Sequence, residues 1–298
     1  LLRGGYKPRH TIVVCALAAE EWGISDTKYD WSTGAYRQVF EARPEWQGHV
    51  IADLNFELPA HAHSTRDAVR CTYEYADFVR SFVDAVQMPE GIYPEGMTTL
   101  YPIETWSDDF TMAISGIPSM VNEFSSAGFM ETHYHSQFDS DEFYDEAVYR
   151  FHHELYGLLL LELDSQAVVP LNFAEVFEEA AKSLDVIYCQ KAGARVTTLL
   201  ELLEKAQELS DEIYDRIWDV NEAYLAGEKM DLEKIREAEK KLLSVFKMEQ
   251  DRFVRLNWSD EVLFPEEAAQ NNLYYIRKAI RSLKRKNPET ALEALYGD

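Results

Sequence analysis

The hydrophobic pattern changes period once along the chain, near residue 142, and that change restricts the fold more than any other feature. Before it, the runs "TIVVCALA" at 11–18, "HVIADLNFEL" at 49–58 and "GIPSMVNEF" at 116–124 read as strands, with helices over 26–40 and 66–86 between them. Strands and helices in alternation predict an α/β sheet with helices on its faces. After residue 142 the period is helical, first in "EFYDEAVYRFHHELYGLLLLELD" and then beyond a break at "VVPLNF", 168–173. Leu199, Leu202, Ala206, Leu209, Ile213, Ile217, Val220 and Tyr224 recur at spacings of three and four, one apolar stripe on one helix. A second stripe follows the N-cap Asp231 through Ile235, Ala238, Leu242 and Phe246, and Pro265 opens a third helix at "FPEEAAQNNLYYIRKAIRSLKRK". The expected division is therefore a sheet-containing part over 1–168 and an all-helical part over 169–298. The stripes are core or partner surface.

Charge narrows the partners. Twenty-nine Lys and Arg against 53 Asp and Glu give a net charge of -24, a field that repels nucleic acid and anionic membranes. With 46% hydrophobic residues in 298, the chain can bury a sizeable core. The three cysteines, Cys15, Cys71 and Cys189, lie far apart without C-x-x-C spacing, so neither a disulfide framework nor a zinc finger is expected. The longest apolar stretch, "YGLLLLEL", is well short of the roughly 20 residues a membrane span needs, and the chain reads as soluble with its compartment open. "LLRGGYKPRHTIVV" is neither a signal peptide nor a translation start, which suggests processing or a longer parent chain.

The first strand run ends in two adjacent glutamates, "ALAAEEWG", and paired like charges there are costly unless a cation lies nearby. In open α/β sheets ligands gather at the carboxyl ends of strands, where Glu20, Glu21 and Asp53 are expected. Zinc and similar ions take carboxylate oxygens and imidazole nitrogens, and a hydrolytic site needs a further carboxylate to accept a proton from the attacking water. Two adjacent glutamates can divide those tasks. Further along come "WSDDF" at 106–110, "GIPSM" at 116–120 and "THYHSQFDSDE" at 132–142.

The ordered set Ala19-Glu20-Glu21-Trp22-Gly23, Asp53, Ser107-Asp108, Gly116-Ile117-Pro118 and Tyr134-His135-Ser136 resembles the di-zinc aminopeptidases. The stretch "YRFHHELYGLLLLELDSQAVVPLNF" is similar to the last helix of the catalytic domain in the glutamate carboxypeptidase II and transferrin receptor branch, leading into its helical dimerisation domain. The resemblance implies the C-terminal part of a mixed-sheet zinc-aminopeptidase domain with helices on both faces, then an all-helical dimerisation domain and a homodimer. It implies two zinc ions and a peptide or amide substrate. It gives Glu20 the role of general base and makes Glu21 and His135 ligands of one metal and Asp53 a ligand of the other. Tyr134 would steady the oxyanion and Asp108 would support the site. The family's first His ligand and its bridging Asp lie upstream of the "AEE" segment, so an N-terminal part or a second polypeptide is expected to complete both sheet and site.

Other histidines have simpler readings. His61 and His63 in "HAH" share one face of an extended segment, a spacing that can bind metal but more often faces solvent or substrate. His133 is a candidate partner for His135, and His152 and His153 read as structural. "GIPSMVNEFSSAGF" has no arginine where the glutamate carboxypeptidase branch carries them for acidic substrates, so acidic-dipeptide specificity is not expected. Asn271 and Asn272, in the region where the branch's helical domain reaches its active site, read as capping or surface residues. Two competing readings are a non-catalytic scaffold of the transferrin receptor kind and a metal-assisted lyase or non-peptide amidase. Retention of Glu20, Glu21, Asp53 and His135 together weighs against the scaffold.

Overall fold

A computed structural model describes residues 2–23, 32–61, 64–105, 107–123, 127–256, 270–272 and 274–296. Four short strands form one mixed sheet: β1 (Asp53–Asn55), β2 (Asp67–Cys71), β3 (Met97–Leu100) and β4 (Ser119–Asn122). Their order is β1-β4-β2-β3; β1 runs parallel to β4, β2 antiparallel to β4, and β3 parallel to β2. The register Asp53↔Ser119 through Asn55↔Val121 sets β1 beside β4, and among the described residues β1 is an edge.

The helices of this part are α1 (Thr33–Tyr36), wound on as a π-turn through Ala42, α2 (Ala76–Ala85), α3 (Asp108–Ser115), α4 (Ala127–Thr132) and α5 (Glu146–Ser165). They are followed by α6 (Ala174–Lys182), α7 (Val186–Lys191), α8 (Thr197–Leu225) and α9 (Leu232–Phe253). A two-stranded pair, β5 (Val254–Leu256) with β6 (Gln270–Asn272), precedes α10 (Tyr274–Lys284) and α11 (Pro288–Tyr296). No described helix is long and apolar enough to cross a membrane.

Several expectations are corrected. Residues 11–18 form no strand: they make no ladder bonds, and Val13 and Val14 are exposed. Only Asp53–Asn55 of the 49–58 run pairs, so Asp53 opens its strand instead of closing it. The 66–86 segment divides into β2 and α2: Ala68, Val69 and Cys71, interrupted by the half-buried Arg70, are buried at the sheet centre, where no period-two alternation marks a strand. β3 was not expected at all; it is half-buried throughout. Of the 26–40 helix, residues 24–31 lie outside the described residues, and helix begins at Thr33. The third C-terminal helix begins at Tyr274 and not at Pro265, with β6 before it and residues 257–269 outside the described ones.

One core joins the sheet to the helices that follow it. Val69, Cys71, Tyr75, Val79 and Met120 pack with Leu155 and Leu159 of α5, with Val169, Leu171 and Phe173, and with Leu243 and Phe246 of α9. Gly116 lets α9 come close: it ends α3 at a φ of 103°, and a Cβ there would stand 2.2 Å from the Lys247 side chain. The α8 stripe is divided in use. Ile217 is buried and Leu199, Ala206, Val220 and Tyr224 half-buried, whereas Leu202, Leu209 and Ile213 are exposed.

Two buried carboxyl groups meet where α9 joins the turn after β2. Glu74 and Glu249 lie close to each other in the interior, and burial pushes both above the usual carboxylate range. The folded state thus holds a proton that the unfolded chain, with ordinary glutamates, releases, so stability declines as pH rises from about 4.5 through the raised values. Calorimetry should show the melting temperature falling between about pH 5 and pH 8, and Glu249→Gln should flatten that slope, since the amide donates to Glu74 at every pH.

Candidate active site

The "AEE" segment is held by the start of α1. Ser32 N–H donates to the Glu20 carbonyl at 3.0 Å and Thr33 N–H to the Trp22 carbonyl at 2.8 Å. Gly34 permits this approach, because a Cβ there would sit 2.1 Å from the Ala18 carbonyl oxygen. Leu17 anchors the segment from below, against Ala35, Val39, Met112 and Ile117.

The fold brings Glu21 and His135 into contact. His135 Nε2 lies 2.6 Å from Glu21 Oε1, with both side chains about half exposed. The Tyr134 ring stacks on His135 with centroids 3.7 Å apart. Burial raises the Tyr134 hydroxyl to about 12, with the charges of Glu21, Glu20 and Glu57 adding to it. Tyr134 therefore remains a hydrogen-bond donor at neutral pH and faces both glutamates of the "AEE" segment.

A second group of carboxyls gathers around Asp53. Burial, then the charges of Asp109 and Asp108, push Asp53 up to about 8, partly offset by a hydrogen bond from Ser119. Its Oδ2 is buried without a partner. Asp108 is raised to about 6 by burial and by Glu57, and Asp109 to about 7 chiefly by burial. Both open α3, where the helix N-terminus favours anionic groups. Ser107 stands at the N-cap but does not cap; its hydroxyl donates to Glu57 Oε1 at 2.6 Å instead. Asn55 Nδ2 donates to the same Glu57 oxygen at 3.1 Å, to Asp109 Oδ1 at 3.3 Å and to Ser107. Tyr156 of α5, with its hydroxyl buried and without a partner, is influenced by Asp109, Asp53 and Glu57.

Asn55, Glu57, Asp109, Asn122 and Tyr156 were missed in the sequence, whereas Ser107 was read there beside Asp108. One signal was available for two of them: Asp53, Asn55 and Glu57 are two apart, so an extended segment turns all three to one face. Backbone strain marks the same region. Of the described non-glycine residues with positive φ, Ala19 (59°), Ser32 (50°), Leu58 (38°) and His135 (55°) all border it, and such strain concentrates at functional sites.

The other histidines stand apart. His61 packs between Phe129 and Phe143, burial lowers its pKa, and His63 lies outside the described residues. His133 faces Glu142 at 3.6 Å and Phe143, so it does not support His135. His152 is fully buried between Asp67 and the Pro59 carbonyl, a structural placement, and His153 Nδ1 donates to the Tyr149 carbonyl at 2.8 Å. Asn271 and Asn272 lie in β6.

The donor chemistry of Glu21 with His135, and of the unpartnered Asp53 Oδ2, suits a divalent ion. The donor number does not, since among the described residues no three His, Cys, Asp or Glu side chains converge as a metal site.

No protein-family model matches the chain. It is 24% identical over 221 residues to a probable glutamate carboxypeptidase, LAMP1, of Arabidopsis thaliana, an alignment covering 68% of this chain and 31% of that protein. The chain thus spans about a third of the relative's length.

Proposed function

We propose that this chain carries part of the active site of a metal-dependent hydrolase acting on peptide or amide bonds, with the remaining metal ligands supplied by residues outside it. The observation that carries the reading is the 2.6 Å pairing of Glu21 with His135, 114 residues apart in sequence, beside Glu20 and Tyr134. The similarity to a carboxypeptidase-named protein supports the same class. Glu21 and His135 would hold one zinc ion and Asp53 a second, and the ions would supply Lewis acidity toward the scissile carbonyl. Glu20 accepts the proton of the attacking water and returns it to the leaving amine. Tyr134, protonated at neutral pH, donates to the oxyanion as it forms. Asn55 ties Glu57, Ser107 and Asp109 together two residues along from Asp53.

A second polypeptide segment, in this reading, pairs along the extended 11–18 run or the bare edge of β1. Val14, 91% exposed, supports it, since an exposed apolar run or an open sheet edge invites a further strand. The exposed α8 residues Leu202, Leu209 and Ile213 form the proposed contact of a twofold dimer. Replacing Leu209 and Ile213 together by glutamate should convert the dimer to monomer in light scattering; a wild-type monomer would refute this contact.

The function is tested by incubating the native full-length protein with a panel of unblocked peptides and amino-acid amides. Expected is hydrolysis that a chelator abolishes and zinc restores. Absent or chelator-insensitive hydrolysis overturns the assignment.

A further inference from the structure

We infer that Glu57 is a specificity-determining residue of this site and receives a positively charged group of the substrate. The inference rests on the hydrolase reading for what the site does, but on Glu57's own surroundings for what it binds.

Glu57 is fixed more completely than a surface carboxylate needs to be. Its N–H donates to Asn122 Oδ1 at 2.9 Å, and Asn122 Nδ2 donates back to the Glu57 carbonyl at 2.7 Å, so a buried side chain at the end of β4 grips the backbone on both sides. Two neutral donors, Ser107 and Asn55, orient one carboxylate oxygen. Leu58 then turns the chain away with a φ of 38°. Among the described residues the other oxygen, Oε2, has no hydrogen-bond partner, and Glu57 acts on Tyr134 as the catalytic glutamates do. A carboxylate so placed is preorganised for a donor that arrives with the substrate.

The local charge selects the donor. Asp108 and Asp109 stand on the α3 side, and the charges of Glu20 and Glu21 bear on Tyr134 together with that of Glu57. Independently, Asp109, 1% exposed and sharing Asn55 with Glu57, leaves its Oδ2 without a partner. An ammonium or guanidinium group, which only donates, satisfies Glu57 and relieves this negative field; a substrate carboxylate is repelled. The group is either the α-ammonium of a free N-terminus or the side chain of Lys or Arg.

Calorimetric binding to the native full-length protein separates the two sources. One pair of probes is leucinamide against N-acetyl-leucinamide; the other is N-acetyl-lysinamide against N-acetyl-norleucinamide. In at least one pair the cationic member should bind about tenfold or more tightly, and Glu57→Gln should erase that preference while leaving the melting temperature and the neutral ligand's affinity unchanged. Gln retains the oxygen that Ser107 and Asn55 require, so loss of preference with intact fold reports charge recognition. Equal binding within both pairs, no binding of any probe, or a preference that survives Glu57→Gln overturns the inference. Cation preference without hydrolysis in the peptide panel would sink the hydrolase reading and leave this one standing.

Discussion

Replacing Glu20 by glutamine should lower kcat/KM on a susceptible amide roughly a hundredfold to ten-thousandfold, the usual contribution of a positioned general base. The loss should appear in kcat with KM little changed, because the amide keeps the shape of the carboxylate and removes only its capacity to take a proton. Zinc content and melting temperature should stay at wild-type values, since the fold here rests on backbone contacts from Ser32 and Thr33 and on the anchoring of Leu17. Replacing Glu21 should differ: zinc is lost along with activity. If Glu20→Gln retains turnover, the division of labour between the two glutamates is refuted.

Truncating Phe246 to alanine should destabilise the whole chain by about 3 to 5 kcal/mol, the usual cost of removing a buried aromatic side chain. Phe246 is fully buried, and it lies in the cluster that also contains Val69 and Met120 of the sheet and Leu155 and Leu159 of α5. A side chain from α9 is thus part of the sheet's own core. Urea unfolding should shift as one transition, because the sheet and the helical segments after residue 168 lose the same packing. A variant in which an early transition moves while a later one stays in place would show that the two parts unfold separately.

Much of the arrangement was legible in the residues, and the failures have physical causes. β4 was readable because Ser119–Asn122 follows the Gly116-Ile117-Pro118 turn and is buried along its length. α8 and α9 were readable because long amphipathic stripes leave few alternatives. The 11–18 run misled for a physical reason. β-branched residues state a preference for a pleated, half-buried surface, but the preference is satisfied only where another strand offers its edge. Among the described residues no strand does so, and Val13 and Val14 remain exposed.

At the site, two of the residues carried by short motifs are in contact, Glu21 with His135, and Tyr134 lies in the field of both glutamates. Glu57 and Asn122 escaped notice because their importance comes from pairing across 65 residues of sequence, which no local pattern announces. Asp109 was hidden beside Asp108: in a helix's first turn two adjacent carboxylates point apart, and only the fold decides which is buried against Asn55.

The most direct measurement is anomalous diffraction at the zinc edge from crystals of the native full-length protein. One peak is expected within bonding distance of Glu21 and His135 and a second beside Asp53, with the remaining ligands contributed from outside residues 1–298. A fully zinc-loaded preparation with no anomalous peak at either place would contradict the assignment of these residues to a di-metal hydrolase site.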